Sequence, residues 1–558
     1  MPPKVWKISQ PGAHIFSTFW VCCSKWVLAP WAAGSERLFS IPIARARNYR
    51  GNMKNILKSK ALVWVGAVFL LVLLAALAYI YLPARGNLPD LAAPDYWPTD
   101  GWIMTPAEQQ GIDSTLLAGG VRSIREKGIP IDSLMIVRNG YVVLEAYFSP
   151  YDGSFPHDLA SVTKSVMTTL IGIAVDQGKL QLDQKVISFF PHRSIANLDE
   201  RKKNLTVLDL VSMRNGMESD CFSGDEATLD TMRATPDWVQ AALDRKMVHE
   251  PGTYFCYDSP GMHLLSAILQ ETTGMTALEF AQQNLFGPLG ISDVVWLADP
   301  QGYTHGWGDL HLKPEDATKL GYLWLHSGTW DGQQIISASW VSNSVKAHSR
   351  SVGNEYGYGY GWWVTAFDFY ALGRGGQYIH VIPSQNMIVV ITAGGSDFNQ
   401  VLPFLMRVLL GSRAELPANP SGQADLAAAL SAVLQGSDIQ LSAPLPDITK
   451  VISGQTYTCD TNPVGLTSAR LEFNDPGVAG FSFRMNNQDV FWPVGLDGKY
   501  RLAADGQAQS GFWMDEQTFV LNVFDVGQLT RSLHFDGDNL EVGIPEIGLT
   551  IACQDQQP

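Results

Sequence analysis

The sequence has no G-x-S-x-G elbow, no H-E-x-x-H pair and no tight grouping among its 11 histidines and 6 cysteines. The first absence removes the strand-turn-helix nucleophile of the commonest serine hydrolases, and the others leave no spacing suited to a metal. Neither a metal nor another cofactor is expected. Internal repeats and low-complexity tracts are also missing, so nothing points to a repeat array. Charge is sparse, at 17% of residues, and unevenly spread. Residues 1–60 hold ten Lys/Arg against Glu36 alone, leaving 29 of the 39 basic and 53 of the 54 acidic residues to the rest. So acidic a remainder argues against a nucleic-acid partner.

Apolar residues are plentiful, at 46% of 558, enough to bury a large core in two or three domains. One stretch, Ala61 to Leu82, is 22 residues long and carries no charge. At about 1.5 Å per residue it matches a hydrocarbon core of roughly 30 Å and is expected to be a transmembrane helix. Lys54, Lys58 and Lys60 precede it and Arg85 follows. The positive-inside bias then puts the N-terminus in the cytoplasm and everything after Leu82 outside, as in a single-pass protein of a bacterial inner membrane with its bulk in the periplasm. A cleaved signal peptide is the alternative, disfavoured by the length of the run and the lack of a small-x-small site in Tyr79-Ile-Tyr-Leu-Pro-Ala-Arg85. Residues 1–60 read as a basic, disordered cytoplasmic segment broken by Pro11, Pro30 and Pro42. Within it, Met53-Lys-Asn-Ile-Leu-Lys-Ser-Lys60 resembles a bacterial N-terminus in its own right.

Residues 83–104 carry Pro83, Pro89, Pro94 and Pro98 and are expected to form an extended tether. The segment 105–415 follows as the main domain. Two β-rich runs over Ser133–Phe148 flank Asn139-Gly140, a strong hairpin signal. Helices are expected at Thr235–Asp244, Met262–Glu271 and Pro314–His326, with strands at Tyr378–Val381 and Met387–Thr392. Residues 416–450 read as a helix-bearing linker. From 451 to 558 short apolar and aromatic runs alternate with Asp-Gly-type turns, which predicts a small all-β domain.

The chemistry is expected in three places. In His157–Val175 the apolar residues Val166, Met167, Leu170, Ile171 and Ala174 recur at helical spacing, so Ser161 and Lys164 share a face at the start of a buried helix. A serine hydroxyl becomes a nucleophile when a neighbour takes its proton, and an amine can do so if its surroundings keep it neutral. The plain alternative is a capping serine followed by a surface lysine. Tyr257, where a short aromatic strand gives way to a helix closed by Gly274, could share that proton. It could equally be a packed aromatic. In Tyr370–Pro383 three glycines, Gly373, Gly375 and Gly376, would let a substrate approach the backbone, and a strand-edge amide beside that of Ser161 would form an oxyanion hole. An ordinary Gly-rich turn competes with that reading.

Together the three pieces, with Leu205–Gly216, Pro314–Gly321 and Tyr358–Trp363, resemble the serine β-lactamase and penicillin-binding protein superfamily, in its class C-like branch of esterases and nylon-oligomer hydrolases. The resemblance covers roughly residues 105–412. It implies an α+β fold, an antiparallel sheet flanked by helices beside a helical subdomain. By it Ser161 is the acylated nucleophile, Lys164 its proton acceptor and Tyr257 the relay to the leaving group and to water. Two positions depart from the pattern. Ser259 stands where the Y-x-N motif has asparagine, and Ala371-Leu-Gly-Arg-Gly375 replaces the Lys/His-Thr-Gly motif. Aligning the motif glycine with Gly373 makes Arg374 the residue whose amide completes the oxyanion hole, with Ser259, Gly373 and Gly375 against the substrate.

The implied activity is hydrolysis of small esters, amides or peptides. A β-lactamase or D-alanyl-D-alanine carboxypeptidase is the nearest alternative, and a non-catalytic tethered binding protein the more distant one. Of the cysteines beyond the anchor, Cys221 is expected to pair with Cys256 and Cys459 with Cys553, each pair within one domain of an oxidising compartment.

Overall fold

The structure is a computed structural model and describes residues 88–89, 91–221, 226–350, 357–435, 445–475 and 477–555. The expected anchor at 61–82 and the basic segment before it lie outside the described residues. Among the described residues no helix is long and apolar enough to cross a membrane.

The hairpin forms where Asn-Gly predicts it: strand β1 (Ile131–Arg138) turns into β2 (Tyr141–Tyr147). Asn139 and Gly140 both take positive φ, 52° and 86°, as the tight turn requires. Three further strands matter to the site, β3 (Phe369–Gly373), β4 (Gln377–Ile382) and β5 (Met387–Ala393). The main sheet is antiparallel, in the order β2-β1-β5-β4-β3, and continues past β3 through three two-residue strands that end at Ser349–Arg350. Along β1 the side chains alternate between faces. Met135 and Val137 join the core on one side, Leu134 and Ile136 the core on the other. Helices therefore cover both faces.

On the first face lie α2 (Thr163–Asp176), α3 (Ser259–Thr273) and α4 (Pro314–Leu325). α3 and α4 begin with proline in their first turn and α3 closes at Gly274 with φ 74°, close to the bounds expected from sequence. The helix expected at Thr235–Asp244 spans Trp238–Asp244, because Asp237 caps it by accepting from the Gln240 amide. On the other face α1 (Ser114–Glu126), α5 (Phe398–Gly411) and α6 (Pro420–Leu434) share one core with β1 and β5.

Two stretches read as connectors pack against this body instead. α6 lies within 416–450, yet Ala429 and Val433 are buried in the second core and Asp425 holds Arg122 through two bonds of 2.7 and 2.9 Å. Within 83–104, Trp97 and Trp102 pack on the first core, and the Trp102 indole donates to the Glu315 carbonyl at 3.0 Å. Prolines keep such a segment from forming a helix, but they do not keep its aromatic side chains in water.

The C-terminal domain is all-β, as its turn pattern predicts. Its ten-stranded sheet closes on itself where Gln488–Gly495 also pairs, in parallel, with Ala508–Trp513. Side chains such as Tyr457, Phe481, Phe519 and Phe535 fill the interior. Cys459 and Cys553 sit opposite each other on neighbouring strands and are bridged, as are Cys221 and Cys256.

Candidate active site

The segment before α2 is not a plain helix start. His157 and Asp158 form a short strand against Leu312 and His311, and a single 3-10 turn over Ala160–Val162 then leads into the helix. Ala160 takes a left-handed φ of 46°, a conformation that costs a non-glycine residue about 1 kcal/mol or more. It is held there by bonds at both ends: its amide donates to Asp158 Oδ1 at 2.8 Å, and its carbonyl accepts from Thr163 Oγ1 at 2.6 Å. Ser161 thus sits in the 3-10 turn and Lys164 in the first turn of the α-helix that follows it.

Lys164 is buried, with 1% of its surface exposed, so it is not the surface lysine of the plain reading. Its Nζ donates to Ser161 Oγ at 2.8 Å and to the Trp307 carbonyl at 2.9 Å, and lies 4.8 Å from the centre of the Tyr257 ring. No carboxylate pairs with it among the described residues. The three residues singled out from sequence thus converge, and the Trp307 carbonyl completes the set. Sequence offered no signal for Trp307, since any residue's carbonyl could serve.

Tyr257 is held by aromatic packing: its ring stacks on Trp363 at 6.0 Å and meets Tyr358 edge-on at 6.1 Å. Those partners come from the aromatic run read as part of the resemblance. The run is tied to α2 by Ser165 Oγ, which donates to the Gly361 carbonyl at 2.6 Å, and Thr168 Oγ1, which donates to that of Tyr360 at 3.0 Å. Directly after Tyr257, Asp258 has extended backbone, φ −136° and ψ 97°, so residues 257 and 259 face one way and the Asp258 side chain the other. Asp258 is fully buried and meets Arg245 through two bonds of 2.6 and 2.9 Å, with Asn215 donating a third at 2.7 Å. Ser259 donates to Glu226 Oε1 at 2.7 Å, so its hydroxyl proton is committed away from Lys164. Burial raises the Asp158 carboxyl above the usual range, opposed mainly by His311 beside it. For His157 burial works against the charge, but the Asp132 carboxylate at 3.0 Å outweighs it and raises the ring's pKa.

The three glycines span the end of one strand and the turn into the next. Gly373 ends β3, and Gly375 and Gly376, with φ of 83° and 99°, form the turn into β4. Both descriptions hold at once: it is a Gly-rich hairpin turn, and it lies against the nucleophile segment. A Cβ on Gly373 would fall 2.5 Å from the Leu159 carbonyl oxygen, so only glycine lets β3 run this close to the residues before Ser161. Arg374 follows at the exposed turn. Gln377, fully buried, braces the turn by donating to the Ala393 carbonyl at 2.6 Å and to that of Arg374 at 3.3 Å. A Cβ on Gly375 would instead meet Val526 of the β domain first.

A model of the beta-lactamase family matches residues 108–404, more than half of the chain, so the chain belongs to that family. Its members are serine hydrolases, and esterases and amidases occur among them. Among curated proteins it is 22% identical over 293 residues to the 6-aminohexanoate-dimer hydrolase of Paenarthrobacter ureafaciens, covering 48% of this chain and 73% of that one. It is 25% identical over 298 residues to penicillin-binding protein 4 of Amycolatopsis lactamdurans, covering 46% and 76%. Among solved structures, the octameric penicillin-binding protein homologue from Pyrococcus abyssi aligns with a TM-score of 0.43 at 17% identity, over 79% of this chain and 99% of that one.

Proposed function

We propose that this protein is a membrane-anchored serine hydrolase that cleaves esters or amides through an acyl-enzyme on Ser161. The observation that carries the proposal is the 2.8 Å contact between the buried Lys164 Nζ and Ser161 Oγ, with no carboxylate paired to Lys164 among the described residues. Lys164 takes the serine proton as the oxygen attacks the substrate carbonyl. The amides of Ser161 and Arg374 receive the developing oxyanion, a preorganised arrangement that is commonly the largest contribution to such catalysis. Tyr257, over whose ring the amine lies, passes the proton to the leaving group and then draws one from the water that releases the acyl group. Labelling of the chain by a fluorophosphonate, lost in Ser161→Ala, tests this. An unlabelled wild type would favour the non-catalytic tethered binding protein.

Replacement of the Lys/His-Thr-Gly motif by Ala371–Gly375 removes the ammonium and hydroxyl that would grip a carboxylate, each charge-assisted bond being worth about 1.5–3 kcal/mol. Uncharged acyl groups lose nothing there. We therefore expect kcat/KM for short-chain p-nitrophenyl esters or linear amides to exceed that for penicillins or D-Ala-D-Ala peptides. Efficient penicillin turnover beside negligible ester cleavage would reverse the ranking and single out the exposed Arg374 as a carboxylate clamp.

The charge asymmetry around Ala61–Leu82 supports a single span with the hydrolase domain outside the cytoplasm. Both bridged cysteine pairs suit that compartment. In spheroplasts, added protease should then digest the domain without lysis. Protection until lysis would show the opposite orientation.

A further inference from the structure

The C-terminal β domain touches the surroundings of the candidate site, first at the turn that carries the Arg374 amide and again at side chains that support the segment before Ser161. In that domain β6 (Thr518–Asp525) turns into β7 (Gly527–Asp536) through Val526 alone. A Cβ on Gly375 would lie 2.3 Å from Val526 Cγ1, and one on Gly394 2.6 Å from the Gly527 Cα. Gly394 has no left-handed backbone, so nearness to the β domain, not conformation, is what calls for glycine there. The same turn is pinned from behind, because the amides of Gly395 and Ser396 both donate to the Gly375 carbonyl, at 2.9 and 3.0 Å. Arg374–Gly376 is therefore gripped between the end of β5 and Val526.

The second contact is aromatic. Phe524 stacks on Tyr151 at 5.4 Å and meets the His157 ring edge-on at 5.4 Å. His157 Nδ1 bonds the Asp158 carbonyl at 2.8 Å, and Asp158 holds the Ala160 amide at 2.8 Å, directly before Ser161. A packed chain thus runs from the β domain to the nucleophile's bend. Nearby, a Cβ on Gly506 would fall 2.5 Å from the His311 ring, and His311 is the strand partner of Asp158.

We propose that the Asp525–Gly527 turn is a wall of the active site. Val526 fixes the Arg374–Gly376 turn at its distance from Ser161 and limits the size of acyl group that fits beside it. The β domain is on this account part of the catalytic unit, and Val526 is a positioning and selectivity residue. The proposal rests on the acyl-enzyme reading above, so its test has one readout that does not need turnover.

In the full-length chain, Val526→Ala should raise hydrogen–deuterium exchange at the amides of Arg374–Gln377 by about threefold or more while the barrel strands stay protected. It should lower kcat for p-nitrophenyl acetate by about tenfold with KM little changed, since a loosened oxyanion donor acts on the transition state. The ratio of kcat/KM for p-nitrophenyl octanoate over acetate should rise about fivefold or more, whereas Val526→Ile, which extends the wall by one carbon, should keep wild-type exchange and lower that ratio. Unchanged exchange at Arg374–Gln377 would overturn the wall whatever the esters do. An unchanged chain-length ratio would overturn the selectivity role. A wild type that cleaves no ester, with exchange still responding to Val526→Ala, would sink the acyl-enzyme reading and the selectivity role with it, and leave the positioning role standing.

Discussion

Ser161→Ala should abolish hydrolysis of a p-nitrophenyl ester, by several powers of ten, in a protein that still folds. The hydroxyl is small and its only described partner is Lys164 Nζ at 2.8 Å, so its removal leaves a buried amine that still bonds the Trp307 carbonyl at 2.9 Å. The core around α2 loses no apolar contact. Melting temperature should therefore change little while kcat falls, which separates a chemical role from a structural one. Lys164→Ala and Tyr257→Phe should each be nearly as damaging. Their combination with Ser161→Ala should cost almost nothing further, because groups that act as one unit are grossly non-additive. Steady-state kinetics together with intact-mass detection of an acyl adduct would check all of this. Retained activity in Ser161→Ala would rule out the serine as nucleophile.

How far the site could be read before folding follows from the kind of interaction involved. Ser161 and Lys164 are three residues apart in one chain segment, so helical geometry alone brings them together. Tyr257 was legible because a change from aromatic strand to Gly-closed helix marks its position, although nothing local joins it to Ser161. The hairpin at Asn139-Gly140 and the helices starting at prolines are likewise local statements. The Trp307 carbonyl, the Val526 contact and the α6 packing are not. Each depends on residues far apart in sequence meeting through tertiary structure, and none carries a distinctive residue type. The glycines misled in a more particular way. Their permissive backbone was recognised, but a turn and a close approach need the same residue, and only the fold reveals that Gly373 serves the approach while Gly375 and Gly376 serve the turn.

The Asp258–Arg245 pair belongs to the same illegible class, since its partners lie on different elements and Asp258 fills the unspecified middle position of the Y-x-N motif. It should nonetheless carry one of the largest stability effects in the chain. The Asp258 side chain is fully buried and that of Arg245 is 9% exposed, with N–O separations of 2.6 and 2.9 Å. Arg245→Ala would strand an ionised carboxylate in the interior with only the Asn215 amide for company, a change that costs about 3–5 kcal/mol. In thermal unfolding this should appear as a fall on the order of 10 °C. Replacing both partners, Arg245→Met with Asp258→Asn, should recover a good part of the loss, because no uncompensated charge then remains. Activity gives an independent reading. Asp258 lies between Tyr257 and Ser259, so a carboxylate that moves toward water in Arg245→Ala would pull on the tyrosine's backbone. The variant's kcat, measured well below its melting temperature, should drop while the double variant keeps more of it. Stability within 1 kcal/mol of wild type for Arg245→Ala would show that the carboxylate finds water or another donor, and that the tyrosine's position does not depend on the ion pair.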